Sequence, residues 1–320
     1  MKISLITPAR KLSRNGNRAT AMRWARLLRA RGHRVETGES YGGEPADLLI
    51  AIHAWRSADS VIRFRDRHPS NPIVVALAGT DINTFLRTEP EVTMRSIDLA
   101  DGLIGLHDRV GDLLPRRVRG KLTIVRQSAL PLPGPRQPRK RSFDVCIAGH
   151  LREEKDPLRT ALAARRLPAE SRIRITHLGR AHTPVWAAAA RAEAKANPRY
   201  RWLGEVPHWQ VRREFARAHL MVISSNQEGG ANIVSEAVVA GVPVIASDIS
   251  GNVGLLGPDY PGYYPVGDDK ALAAQLLRAE REPDMLELLA RRCRELAPSF
   301  APKREAAGLD AVLSKVMPTR

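Results

Sequence analysis

Two glutamates eight positions apart enclose a pair of glycines in Glu228-Gly-Gly-Ala-Asn-Ile-Val-Ser-Glu236. Carboxylates accept hydrogen bonds from hydroxyls, and glycines let a ligand come close to the main chain. Ahead of this stretch, Leu220 to Ser225 is a short apolar run that reads as a buried parallel strand. Behind it, Ile233, Ala237 and Ala240 recur at helical spacing between Ala231 and Ala240, and Gly241 with Pro243 stop that helix. A helix entrance here turns the N–H groups of Gly229, Gly230, Ala231 and Asn232 outward, where they suit a phosphate or a developing leaving-group charge. Glu228 borders that anion site. Glu236, one to two turns into a mostly apolar helix, would be costly to bury alone but matches the vicinal hydroxyls of a ribose. An anion site combined with polyol acceptors fits a nucleotide sugar. A glycine turn by itself is as often a structural corner, so the two spaced glutamates carry the reading.

The elements that must hold these residues form a strand and helix alternation, repeated twice. Apolar runs at Ile3 to Ile6, Leu48 to Ile52, Ile73 to Ala78, Leu103 to Leu106 and Leu122 to Val125 mark the first half. The helix carrying Trp24, Leu27 and Leu28, ending at Gly32, is the clearest amphipathic stretch. Phe143 to Ala148, Ile173 to Leu178, Tyr200 to Leu203, Leu220 to Ser225 and Val242 to Ser247 mark the second half. Such alternation predicts parallel sheets covered on both faces by helices, an α/β protein of two doubly wound, Rossmann-like domains facing across a cleft. Between the halves, Pro131 to Arg141 holds four prolines within eight residues and lacks the backbone donors a helix or central strand needs. The expected organisation is residues 1–130, a linker at 131–141 about which the domains would close, residues 142–300, and a helix at 301–320 that returns to the first domain.

In open parallel sheets, ligands bind beyond the carboxyl ends of the strands. In the first half those positions are Thr7-Pro8, His53, Gly79-Thr80-Asp81, His107 and Arg126-Gln127-Ser128. A single histidine at a strand end is more often a hydrogen-bonded structural residue than a catalyst, but together these form a polar wall. The loop from Arg10 through Asn15, Gly16, Asn17 and Arg18 adds a cation-rich helix entrance, read either as a phosphate site or as a basic surface loop.

The 320 residues, 43% of them hydrophobic, are enough for two ordinary cores. No run of about twenty apolar residues is present, and the N-terminus enters a strand directly, so a cytoplasmic protein without stable membrane insertion is expected. Cys146 and Cys293 lie far apart without metal-ligand spacing, no Asp-x-Asp occurs, and no histidines cluster, so neither a metal nor another cofactor is expected. The net charge of +17 raises nucleic-acid binding as a reading. Aromatics make up only 5% of the chain and no interleaved stacking surface appears, which ranks it low.

The Glu-x7-Glu segment followed by Gly241-Val-Pro-Val244 resembles the GT-B glycosyltransferases of the glycogen-synthase-like and sucrose-synthase-like kind. Ala148-Gly149-His150-Leu-Arg152-Glu-Glu-Lys155 resembles that family's Gly-Arg-Leu-x-x-Glu-Lys loop, whose arginine and lysine hold the donor diphosphate. Lys155 falls on the lysine; His150 replaces the arginine, with Arg152 two residues on. A closer resemblance, covering nearly the whole chain, is to the selenosugar synthase branch of selenoneine biosynthesis. It rests on Pro8 with Gly16 to Ala25, Ala78-Gly-Thr-Asp81, Gly149 to Pro157, Glu228 to Asn232, and Ser250 to Gly257. That resemblance implies transfer of a sugar, typically N-acetylglucosamine, from a UDP-sugar to selenophosphate, releasing UDP and phosphate. It also implies roles: Gly149, His150, Arg152, Lys155 and the 229–232 amides at the diphosphate, Glu228 at the sugar, Glu236 at the ribose. Asn17, Arg18, Gly16, Thr80 and Arg126 would face the acceptor, with Asp81 or His53 assisting the chemistry. A GT-B enzyme with a hydroxyl acceptor is the competing reading, and donor preference, stereochemistry and oligomeric state stay open.

Overall fold

The computed structural model describes residues 1–11 and 16–317. By internal contacts the chain forms two units. The first comprises Met1–Ser128, Gly229–Ala231 and the chain from Pro302 onward; the second comprises Ala129–Glu228 and Asn232–Ala301.

The first unit is built on β1 (Lys2–Ile6), β2 (Arg34–Gly38), β3 (Leu48–Ile52), β4 (Ile73–Ala76), β5 (Gly102–Gly105) and β6 (Leu122–Ile124), in the order β2-β1-β3-β4-β5-β6. All neighbours are parallel. Alternating strand residues feed opposite faces, as the two-residue period of a strand requires. Ile3, Leu5, Leu48, Ile50 and Val74 pack with Trp24 and Leu28 on one face; Ile6, Leu49, Ala51, Ile73 and Val75 pack with Phe64 and Ile97 on the other. The terminal helix Pro302–Val316 belongs to the first of these layers through Leu309, Val312 and Leu313. Its Glu305, 1% exposed, accepts hydrogen bonds from Arg23 Nε at 2.8 Å, Trp24 Nε1 at 2.7 Å, and the Ser128 amide at 3.0 Å. A buried carboxylate holds its charge only with such partners, and here they come from both ends of the unit's sequence.

The second unit contains β7 (Phe143–Ala148), β8 (Ile173–Leu178), β9 (Tyr200–Trp202), β10 (Leu220–Ile223), β11 (Val244–Ser247) and β12 (Tyr263–Tyr264), ordered β12-β11-β10-β7-β8-β9, again all parallel. The chain moves outward one way from β7 to β9 and the other way from β10 to β12. That order is the dinucleotide-fold order, and it places the topological switch between β7 and β10.

The sheets contain two strands the sequence pattern does not announce, β2 and β12. Residues 131–141 form no helix or strand. They lie along the second unit: the Gln137 amide donates to Ala216 O at 2.7 Å, and the Arg136 guanidinium donates to the carbonyls of Ala218 and Gly241. The amphipathic helix around Trp24 spans Gly16–Arg29, and Gly32 takes a φ of 82° just beyond it, a conformation suited to glycine.

Candidate functional site

At the switch point of the second sheet, the segments leaving β7 and β10 are tied to each other. After β7, Gly149 to Arg152 leads into the one-turn 3-10 helix Glu153–Lys155, which ends on Asp156 in the left-handed region at φ 41°. After β10, Ser224 Oγ donates to the carbonyls of Lys155 at 3.1 Å and Asp156 at 2.9 Å, and the Asn226 amide donates to Glu154 O at 2.9 Å. This lacing fixes Lys155 so that its Nζ forms an ion pair with Glu228 Oε1. Ser225 Oγ donates to the same carboxylate oxygen at 2.6 Å, and Ser247 Oγ donates to Ser225 O at 2.6 Å. Asn252 Nδ2 completes the chain by donating to Ser247 O at 2.9 Å. Glu228 is 8% exposed, so its carboxylate is held in one orientation by a cation and a hydroxyl. Gly251 makes room for this: a Cβ there would lie 2.7 Å from the Glu228 Cβ.

His150 stands where the resembled loop has arginine. Its Nδ1 accepts the Arg180 amide at 3.1 Å, so the ring proton sits on Nε2. Burial, reinforced by nearby His182, Arg180 and Arg152, lowers its pKa to about 4, against the pull of Glu205. At neutral pH it is therefore a neutral N–H donor and contributes no charge. His177, beneath it on β8, is also held down to about 4 by burial; its ring nitrogens meet Gly149 O at 3.0 Å and Tyr200 Oη at 2.9 Å. Gly179 lets the β7 and β8 ends meet, since a Cβ on it would fall 1.9 Å from Gly149 O. Arg152 Nε lies 3.8 Å from Glu154.

The helix Asn232–Val239 begins at Asn232 and carries Glu236, partly exposed, whose Oε2 is 3.0 Å from His208 Nε2. His208 opens the helix His208–Arg217. The expected anion site at 229–232 is divided: Gly229, Gly230 and Ala231 group with the first unit, while Asn232 belongs to the second. Gly230 adopts φ 143°, which only glycine accepts readily.

In the first unit the sheet order places the switch between β1 and β3. His53, just past β3, is 2% exposed and takes a positive φ of 80°, an uncommon conformation for its residue type. Its Nδ1 lies 2.7 Å from Asp81 Oδ1. The Arg56 amide approaches the same nitrogen at 3.2 Å. Nδ1 thus lies between an accepting carboxylate and a donating amide, and Nε2 is 2.9 Å from the Thr80 hydroxyl oxygen. Asp81 is fully buried and also accepts the amides of Ala54 at 2.8 Å, Trp55 at 3.0 Å and Ala78 at 2.9 Å. Trp55 stacks on Phe85 with centroids 4.2 Å apart.

The structure thus joins Lys155, Ser225 and Glu228 into one group, the Gly149-His150 turn with His177 and Arg180 into a second, and His53, Thr80 and Asp81 into a third. Asn17 and Arg18 occupy the first turn of the helix Gly16–Arg29, with Gly16 O accepting from Thr20 Oγ1 at 2.9 Å. The preceding loop residues, including Asn15, lie outside the described residues. Arg126 is engaged with Asp108, its Nε 3.2 Å from Oδ1. Ser225, Ser247, His208 and Trp55 are additions that sequence reasoning missed. Ser225 and Ser247 each close an apolar run and Gly179 directly follows one, which is the signal the sequence held; His208 and Trp55 carried none. Among the described residues, no three His, Cys, Asp or Glu side chains converge as a metal site would require, and no helix is long and apolar enough to cross a membrane.

Two doubly wound units, one of them with a dinucleotide-type sheet that carries a partly buried cation–carboxylate pair at its switch point, make up a GT-B architecture. The chain belongs to the glycosyl transferases group 1 family, whose model matches residues 134–297, just over half of its length. Among solved structures it is similar to Anabaena HepE in complex with UDP, at TM-score 0.78 and 14% identity over 98% of this chain and 100% of that one. It is also similar to sucrose-phosphate synthase from Thermosynechococcus elongatus, at TM-score 0.77 and 16% identity over 98% of each chain. A glycosyltransferase from Rickettsia africae gives TM-score 0.75 and 11% identity over 99% of each. At these identities the likeness concerns the fold.

Proposed function

We propose that the protein transfers a sugar, N-acetylglucosamine by its sequence resemblance, from a UDP-sugar to selenophosphate. The observation that carries the donor half is the Lys155–Glu228 pair, with Glu236 on the following helix. An ammonium has three protons to donate, so Lys155 can keep Glu228 and still meet a diphosphate oxygen. With Arg152 and the helix entrance at Asn232, it would offset charge gathering on the departing UDP. Glu228 would orient sugar hydroxyls and Glu236 the ribose. The UDP and UDP-glucose held by HepE support a uridine nucleotide as donor.

Support for the acceptor is the branch resemblance and the +17 charge, which favours anionic substrates. The selenium lone pair would bond to the anomeric carbon as the bond from that carbon to the UDP oxygen breaks. Water would then attack phosphorus, break the selenium–phosphorus bond and release phosphate from the 1-selenosugar. Selenophosphate is ionised near neutral pH and needs no strong protein base. A second reading is supported by the His53–Asp81 pair: an acceptor hydroxyl in place of that of Thr80 would give its proton to His53 Nε2.

Incubation with a panel of UDP-sugars, with and without selenophosphate and with simple alcohols, followed by mass analysis, tests both. Selenophosphate-dependent release of UDP with a selenium-containing sugar is expected. Glycosides formed only with hydroxyl acceptors would replace the first reading by the second, and absence of any UDP-sugar turnover would remove both.

A further inference from the structure

Glu236 reaches its role through a neighbour from another helix. Its Oε2 lies 3.0 Å from His208 Nε2, and among the described residues no other side-chain partner of that carboxylate is recorded. A carboxylate only accepts hydrogen bonds, so the histidine must present Nε2–H to it. One lone pair on Oε2 is thereby occupied, and the remaining acceptor sites are left to receive a pair of adjacent hydroxyls. A glutamate side chain on a helix surface otherwise samples several rotamers, whose freezing upon ligand binding lowers affinity.

We propose that His208 is a positioning residue for Glu236 and that this contact sets the protein's preference for a ribonucleotide over a 2′-deoxyribonucleotide. The inference rests on the reading of Glu236 as the ribose contact. Supporting groups are few and identifiable. The hydrogen bond to Glu236 raises the His208 pKa, while burial and Arg212 on the same helix oppose the rise. His208 is 63% exposed on its side chain, so its loss removes little packing. The contact joins the first residue of His208–Arg217 to the second turn of Asn232–Val239, so it holds the carboxylate against two helices instead of one.

The test is calorimetric binding of UDP and 2′-deoxy-UDP to the full chain and to His208→Ala and His208→Gln. The glutamine amide nitrogen reaches about as far as Nε2 and can still donate. The parent should bind UDP more tightly than the deoxy compound. His208→Ala should weaken UDP by about ten-fold, the scale of one hydrogen bond to a charged group, and change the deoxy compound by about two-fold or less. His208→Gln should recover most of the difference. In turnover, His208→Ala should raise the KM for the UDP-sugar with kcat little changed. Equal weakening of both nucleotides, or unchanged discrimination in His208→Ala, would overturn the positioning role while leaving Glu236 as the ribose contact. A parent that binds both nucleotides equally would overturn the ribose reading itself, and this inference with it.

Discussion

The two switch points handle charge in opposite ways. In the second unit, Lys155 and Glu228 meet as a cation and an anion, with the Ser225 hydroxyl on the same carboxylate oxygen. In the first, His53 and Asp81 meet with three backbone amides and the Thr80 hydroxyl around them. One arrangement holds an ammonium that has protons to spare for a polyanion. The other holds an imidazole between a buried carboxylate and a hydroxyl. The same sheet rule thus yields an ion pair at one switch point and a buried histidine–carboxylate contact at the other.

Removing the ammonium should break the comparison most severely. Lys155→Ala is expected to lower kcat by about 10²- to 10³-fold, the scale of losing one preorganised electrostatic contact. Steady-state UDP release measures this; a loss below ten-fold would detach Lys155 from the leaving group.

His53→Gln separates the acceptor readings. With a hydroxyl acceptor it should cost about 10²- to 10⁴-fold in kcat, as loss of a general base does. With selenophosphate the cost should stay below about ten-fold. A large loss with selenophosphate would mean that the chalcogen nucleophile also needs the base.

Arg126→Ala and Arg18→Ala sharpen the first unit's part. If either guanidinium meets the acceptor phosphate, the KM for selenophosphate should rise by about ten- to a hundred-fold while UDP binding by calorimetry is unchanged. Arg126 would have to share itself between Asp108 and the acceptor. Unchanged acceptor kinetics in both variants would remove them from the site.

The smallest effect concerns pH. Burial holds His150 and His177 down to about 4 from an ordinary 6.5. Between those values the unfolded chain binds protons that the folded chain refuses, so unfolding free energy should fall as pH drops from about 6.5 to 4 and be fully present above 6.5. Denaturant unfolding across that window should show a shallower slope for His150→Gln than for the parent; an identical slope would mean that the imidazole titrates freely.

Sequence legibility followed how local each feature was. The inner strands β1, β3, β4, β7, β8 and β10 read clearly because sheets covered on both faces demand continuous apolar runs. The strands β2 and β12 did not, since β2 buries only Val35 and β12 has two residues. Glu228 and Lys155 stood out because each sits in a contiguous motif, although their direct pairing across 73 positions did not. His208 lies 28 positions from Glu236 and carries no spacing signal. The proline-rich stretch correctly lacks regular structure, but its composition could not reveal that Arg136 fastens it to carbonyls of Ala218 and Gly241.

The buried Glu305 gives the first unit an unusual history during synthesis. Arg23, Trp24 and Ser128 wait for a carboxylate that the ribosome adds 177 residues after the last of them. At roughly 5–20 residues per second, that is a delay of about ten seconds or more. Until then one face of its sheet lacks the cover of Leu309, Val312 and Leu313. The second unit, encoded largely in between, has all its strands made first. The first unit's packing therefore awaits residues made after nearly all of the second unit.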